Sequence, residues 1–318
     1  MNQPLLWCMA LVATAVTWPV TVYAQTTIPS KAPVVTQAKP GAQRIFATPE
    51  QAAAELANAI RSSDLKRIHS VLGPGSGKVI HSGDPVQDAA GRKRFLEAYE
   101  TSIKIEPSGD ARVTLLIGSE EFPFPFPLVK TASGWKFDSK AGAEEVLNRR
   151  IGRNERSAIQ VCLAYVDAQR EYATKDRDKD GLLEYAQKFI STPGEHDGLY
   201  WETREGEAAS PLGPLSASAK EQGYKLGSEP YHGYYYRILT AQGADNPGGA
   251  YSYIVRGQMI GGFALVAYPA RWGASGVMTF VCNHRGVVYE KNLGKGTVAI
   301  AERMTRYNPG PGWKKIDE

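Results

Sequence analysis

The run from Gly142 to Thr174, GAEEVLNRRIGRNERSAIQVCLAYVDAQREYAT, decides how the rest of the chain is read. Val146, Leu147, Ile151, Ala158, Ile159, Cys162, Val166 and Gln169 recur along it at helical spacing and make one stripe. A helix of this length needs a large surface on which to bury that stripe, because packing supplies most of a helix's stability. The strand-like runs Gly233 to Leu239, Gly262 to Tyr268, Gly276 to Cys282 and Val287 to Lys291 offer one. Asn283-His284-Arg285-Gly286 is a hairpin signal between the last two. The stripe is interrupted at Arg153-Asn154-Glu155-Arg156, where a kink or a junction is expected. The spacing predicts an α+β fold, with N-terminal helices on a small antiparallel sheet over 44–140 and the long helix on a second antiparallel sheet over 141–318.

The long helix leads into Asp176-Arg177-Asp178-Lys179-Asp180-Gly181-Leu182-Leu183-Glu184. Calcium takes about six to eight oxygens, and carboxylates at alternate positions of a tight turn converge on one point when Gly supplies the bend at the sixth position. Asp176, Asp178 and Asp180 fill the first, third and fifth positions, the Leu182 carbonyl the seventh and Glu184 the ninth. The twelfth is Gln187, which has no carboxylate to offer, so the pattern departs from an EF-hand and predicts a structural calcium site rather than a sensor. A solvated turn neutralised by Lys175, Arg177 and Lys179 is the competing reading.

Before the long helix, Thr48-Pro49-Glu50-Gln51 is a capping box with Pro at the first helical position, followed by Ala52, Leu56, Ala59 and Ile60 at helical spacing. A second helix follows Asp64, and Asp84-Pro85 opens a third. Strands are expected at Arg112 to Ile117, Phe122 to Val129 and Trp135 to Asp138. Within them, prolines at 123, 125 and 127 remove every backbone donor from one side, so Phe122 to Pro127 is an edge strand or a polyproline segment. Its three Phe rings share one face if the segment is extended, and pack under the helices or dock a partner. Gly73-Pro74-Gly75-Ser76-Gly77-Lys78-Val79 lacks the spacing and the preceding strand of a phosphate loop, and reads as a helix stop and turn.

Leu5 to Val16 is apolar and too short for a membrane span, and Val22 and Ala24 suit a secretory cleavage site. Residues 1–24 are therefore expected to be a signal peptide that carries Cys8 away, and 25–43, rich in Thr, Pro, Ala and Val, a flexible leader. Export to the periplasm or beyond follows, with no membrane span in the mature chain. The net charge of +4 is spread thinly, without a basic stripe, which disfavours a nucleic-acid partner.

Asn148 to Glu155, Tyr165 to Tyr172, the acidic loop, Pro230 to Arg237 and Gly286 to Lys291 together resemble the bacterial family called domain of unknown function 2950, over nearly the whole mature chain. The resemblance implies export from a Gram-negative cell and supplies no activity. The second half is similar to pilin-like and pseudopilin-like domains, without their membrane-spanning helix start. The first half is similar in element order to nuclear-transport-factor-2-like and cystatin-like folds.

Cys162 and Cys282 survive cleavage, and a disulfide between them would stabilise by about 4 to 5 kcal/mol on the loop-entropy model; two small buried thiols are the other reading. No residue is assigned a catalytic role. Gly194-Glu195-His196-Asp197-Gly198 gathers a His with carboxylates, and a hydrolase built near His196, Asp197 and His232 is the alternative to a binding protein. The favoured reading is a non-catalytic, calcium-stabilised envelope module for binding or assembly, with an envelope protein or cell-wall ligand as partner. Tyr200, Trp201, Tyr231 and His232 are its candidate ligand-binding residues, in a region that also holds Tyr234, Tyr235, Tyr236, Tyr251 and Tyr253.

Overall fold

A computed structural model describes residues 42–317 apart from 178, 204 and 228, all within one unit that begins at Ala38. The expected signal peptide, nearly all of the expected leader, and Asp178 lie outside the described residues. Gln43, at the end of the expected leader, is tied down: its Nε2 donates to the carbonyls of Leu72 at 3.1 Å and Phe137 at 2.8 Å.

Four helices come first: α1 (Pro49–Arg61), α2 (Leu65–Leu72), the single turn α3 (Gly77–Ile80) and α4 (Pro85–Thr101). Their starts are chemical. Thr48, Asp64 and Asp84 each accept the N–H three residues on, at 3.3, 3.0 and 2.9 Å. Beneath them β1 (Ile103–Pro107), β2 (Arg112–Ile117), β3 (Phe122–Pro123), β4 (Leu128–Thr131) and β5 (Gly134–Phe137) form an antiparallel sheet of order β1-β2-β4-β5, with β3 also on β2. The sequence reading has no β1, which alternates apolar with charged residues and lies mostly exposed at the edge. The Phe-Pro run does sit where the ladder is broken. Phe122 pairs with Ile117, the N–H of Phe124 donates to Leu115 at 2.8 Å, and pairing resumes at Leu128. Phe124 and Phe126 pack into the first core, while Phe122 stays half exposed.

The long helix α5 (Ser139–Tyr172) starts three residues before the periodicity expects, because the Asp138 side chain accepts the Ala141 N–H at 3.2 Å. It serves both cores. Val146 packs on the first, and Gly142 lies so close to the Phe126 ring that a Cβ there would stand 2.2 Å from it. From Ala158 onward, Cys162, Tyr165 and Val166 enter the second. The helix thus straddles the boundary expected at 141.

After α5 come α6 (Gly213–Glu221), β6 (Tyr234–Leu239), β7 (Ala241–Gln242), β8 (Tyr251–Ser252), β9 (Ile254–Val255), β10 (Gln258–Met259), β11 (Ala264–Pro269), β12 (Thr279–Asn283), β13 (Val288–Lys291), α7 (Thr297–Glu302), β14 (Arg306–Tyr307) and β15 (Lys314–Lys315). The main sheet has the order β15-β13-β12-β11-β6 and is antiparallel throughout. Every residue of β11 and β12 is buried, as expected of central strands. The fold class is α+β. Among the described residues no helix is long and apolar enough to cross a membrane.

Polar side chains join the two cores. Asp84 is fully buried and accepts hydrogen bonds from the Tyr224 hydroxyl and the Gly233 N–H, both at 2.8 Å. Asn154, also fully buried, donates to the Ser275 carbonyl at 2.9 Å and accepts from Gln87 at 3.3 Å. Glu155 accepts the N–H groups of Val277 and Met278, each at 2.9 Å. The polar interruption in the helical stripe is therefore a junction, and the helix runs through it unbroken.

Candidate functional site

Strand alternation divides the triple tyrosine of β6. Tyr236 pairs with Ala267 and Tyr234 packs on Phe280, while the Tyr235 ring turns to the opposite face against Tyr268, centroids 5.7 Å apart. Tyr234 and Tyr236 form one wall of a cavity of about 200 Å³ that is completed by Phe189, Tyr200, Leu215, Tyr224 and Tyr231, with Lys225 and Glu229 also lining it. Several of the hydroxyls are engaged. Tyr234 donates to the Met278 carbonyl at 2.9 Å, Tyr224 to Asp84, and Tyr200 accepts from Lys220 at 2.8 Å. Burial raises the pKa of Tyr234, Tyr236 and Tyr224 above the usual phenol range, with Asp84 adding to the effect at Tyr224.

Tyr200 also lines a larger hollow of about 650 Å³, whose walls include Glu195, His196, Trp201, Glu202 and Lys220. Trp201 is buried and stacks on His196 at 4.4 Å, with the Arg177 guanidinium 5.2 Å from its ring centroid. Of the candidate ligand-binding residues, Tyr200 touches both spaces, Tyr231 the smaller and Trp201 the larger. His232 stands behind Tyr231, ring centroids 4.2 Å apart, with its nitrogens on Ser157 Oγ and Gln222 Oε1. The sequence reading omits Phe189 and Tyr224. Each is a single aromatic in or beside irregular chain, and no periodicity marks them.

His196, Asp197 and His232 make no hydrogen bond to one another. Asp197 accepts from the Thr192 N–H at 2.7 Å, the Thr192 hydroxyl and Lys188; although burial opposes it, Lys188 and Thr192 hold its carboxyl below the usual range. His232 is pushed below the ordinary histidine value by burial.

The acidic loop is wrapped by its own backbone. Asp176 accepts the N–H groups of Lys179 at 2.7 Å and Gly181 at 2.9 Å, and both donors' residues adopt positive φ, 64° and 91°. Asp180 accepts from the Leu182 N–H at 2.8 Å and from Gln258, and Glu184 from the Met259 N–H at 3.1 Å. The loop is anchored behind by the fully buried Gln169, whose amide exchanges hydrogen bonds with both backbone groups of Ala186 at 2.7 and 2.9 Å. Among the described residues no group of three or more His, Cys, Asp or Glu is close enough to hold a metal. A calcium ion there would draw on Asp178, which lies outside them.

Cys162 and Cys282 are neighbours across the helix–sheet interface, as buried free thiols. The Cys282 thiol donates to the Cys162 carbonyl at 3.6 Å, and burial pushes its pKa well up.

A family model described as a protein of unknown function, DUF2950, matches residues 43–316. No curated protein and no solved structure matches the chain.

Proposed function

We propose that this chain, which belongs to the DUF2950 family, is an exported, non-catalytic binding protein of the bacterial envelope that takes a sugar ring of a cell-wall glycan between its second-half tyrosines. The observation that carries the reading is the convergence of Tyr200, Tyr224, Tyr231 and Tyr236, from separate segments, on one small cavity. An aromatic ring offers a flat apolar face to a sugar, and Lys220, Glu202 and Glu195 in the adjoining hollow offer partners to its hydroxyls. The smaller space suits one ring, and the larger one, reached past Tyr200, suits the next.

The acidic loop takes a calcium ion in a structural role, with Asp176, Asp178, Asp180 and Glu184 supplying carboxylates and Leu182 its carbonyl. The support is the wrapped turn around Asp176 and its anchoring through Gln169. Bound calcium would stabilise the folded chain by mass action. A thermal melt of the mature protein in calcium should exceed one in chelator, with magnesium ineffective and the gain absent in Asp176→Asn. Equal melts in calcium and chelator would remove the metal from the account.

Calorimetric titration with soluble cell-wall glycan fragments tests the binding reading. Saturable binding that weakens at least tenfold in Tyr200→Ala and Tyr231→Ala is expected. Binding only to the peptide portion, or variants that bind like the parent, would overturn it.

A further inference from the structure

A further cavity, of about 450 Å³, opens in the first half of the chain, away from the tyrosines. Its floor is apolar. Leu56, Phe126 and Phe95, all buried, line it together with Ile60, Ile68 and Phe124. Its exposed residues are of a different kind. Arg94, Arg149 and Arg153 are exposed and Arg92 and Arg150 partly so, and these five arginines line the cavity with one carboxylate, Asp88, among them. They come from α4 and from the first half of α5.

Two of the five are occupied. Arg150 donates to the carbonyls of Lys78 at 2.8 Å and Val79 at 2.7 Å, with Asp88 at 4.0 Å. Arg149 pairs with Glu145 at 2.5 Å and lies 5.6 Å from the centroid of the half-exposed Phe122 ring. Arg92, Arg94 and Arg153 make no ion pair and no hydrogen bond among the described residues. Desolvation and then the positive charge of Arg94 hold the Arg153 guanidinium below its ordinary value, with Tyr224 acting the other way. A low-dielectric cleft rimmed by one sign of charge concentrates the opposite sign. Guanidinium forks match carboxylates in particular, since two parallel N–H groups meet two oxygens.

We propose that this cavity binds a single-chain fatty acid, with the alkyl chain against Phe95, Phe124 and Phe126 and the carboxylate at Arg92, Arg94 and Arg153. An acyl chain covers the apolar floor, and the head group neutralises the three unpaired cations. A free anion leaves the floor empty, and a neutral lipid leaves the three arginines without a partner, whereas a carboxylate matches the guanidinium fork. This is a separate ligand from the one taken by the tyrosines.

The test is a calorimetric titration of the delipidated mature protein with dodecanoate, with dodecanol, acetate and dodecyl phosphate in parallel. Gly91 faces the cavity from α4, and a Cβ there meets only the end of the Arg94 side chain at 4.0 Å. Gly91→Leu therefore fills the space without backbone strain, and in a helix it favours folding. Dodecanoate is expected to bind one to one, at least tenfold more tightly than dodecanol or acetate, and more weakly as salt rises. Arg94→Gln with Arg153→Gln should cost at least tenfold, Gly91→Leu should abolish binding with an unchanged or higher melting temperature, and Tyr200→Ala should bind as the parent does. Equal binding of dodecanol, a preference for dodecyl phosphate, or full binding by a folded Gly91→Leu would each overturn the proposal.

Discussion

Replacing Asp84 should loosen the joint between the two cores more than any other single change of one polar side chain. Its Oδ1 caps α4 through the Gln87 N–H, and its Oδ2 accepts the Tyr224 hydroxyl and the Gly233 N–H in a site closed to solvent. Losing a helix cap costs about 1 kcal/mol. Leaving two buried donors without their acceptor adds about 1 to 3 kcal/mol each, so Asp84→Ala should cost about 3 to 7 kcal/mol. For a chain of this size that is a fall in melting temperature of about 10 °C. Asp84→Asn is the sharper probe. Its carbonyl oxygen retains the cap, but its amide faces a Gly233 N–H that has no way to turn round, for a loss of about 2 to 3 kcal/mol. Tyr224→Phe removes one donor and should cost about 1 to 2 kcal/mol. Because Asp84 and Tyr224 share one bond, the double variant should cost less than the two singles added together. Urea unfolding, followed by circular dichroism, measures all four. An Asp84→Asn loss below about 0.5 kcal/mol, or strict additivity with Tyr224→Phe, would refute the reasoning, since buried donors cannot lose an acceptor so cheaply.

Three further outcomes are expected. Burial holds the imidazoles of His232 and His284 below the ordinary histidine value, so the unfolded chain takes up their protons first; the stability they support is complete above about pH 6.5 and is lost as pH falls through their folded values. Urea midpoints should therefore drop between pH 7.5 and 5.5, and by less in His284→Gln; an unchanged drop would remove His284 from the cause. Cys162 and Cys282 should be inert to a thiol reagent in the native protein and both react once it is unfolded, whereas a disulfide leaves no thiol at either stage. Gly142→Ala should cost about 1 to 3 kcal/mol, because its methyl would meet the Phe126 ring; a neutral substitution would show that α5 does not pack tightly on the first core.

What the sequence made legible was whatever its local chemistry specifies. The stripe of α5 is a repeat within one segment, and Thr48, Asp64 and Asp84 cap helices three residues away, so spacing alone locates them. The hairpin at Asn283 closes as its residues suggest, with the Gly286 N–H on the Asn283 carbonyl at 2.8 Å and Gly286 at positive φ. The edge position of Phe122 to Pro127 follows from missing donors. What stayed hidden depends on distant partners. Asp84 reads as a cap, and nothing near it announces Tyr224 or Gly233. The arginine mouth is assembled from the short basic runs Arg92-Lys93-Arg94 on α4 and Arg149-Arg150 on α5, and nothing in either run announces that the other lies beside it. Among the tyrosines, alternation foretells that one ring of 234–236 must turn away, but the partners of the other two come from irregular chain around Tyr200 and Tyr224, where periodicity is silent.

The most direct test of the account is an amide-shift titration of the isotope-labelled protein with soluble cell-wall glycan fragments. The account predicts saturable shifts centred on Tyr200, Tyr231 and Tyr236, spreading to Trp201 and leaving α4 unmoved. Shifts absent from those residues, or confined to other parts of the chain, would contradict it.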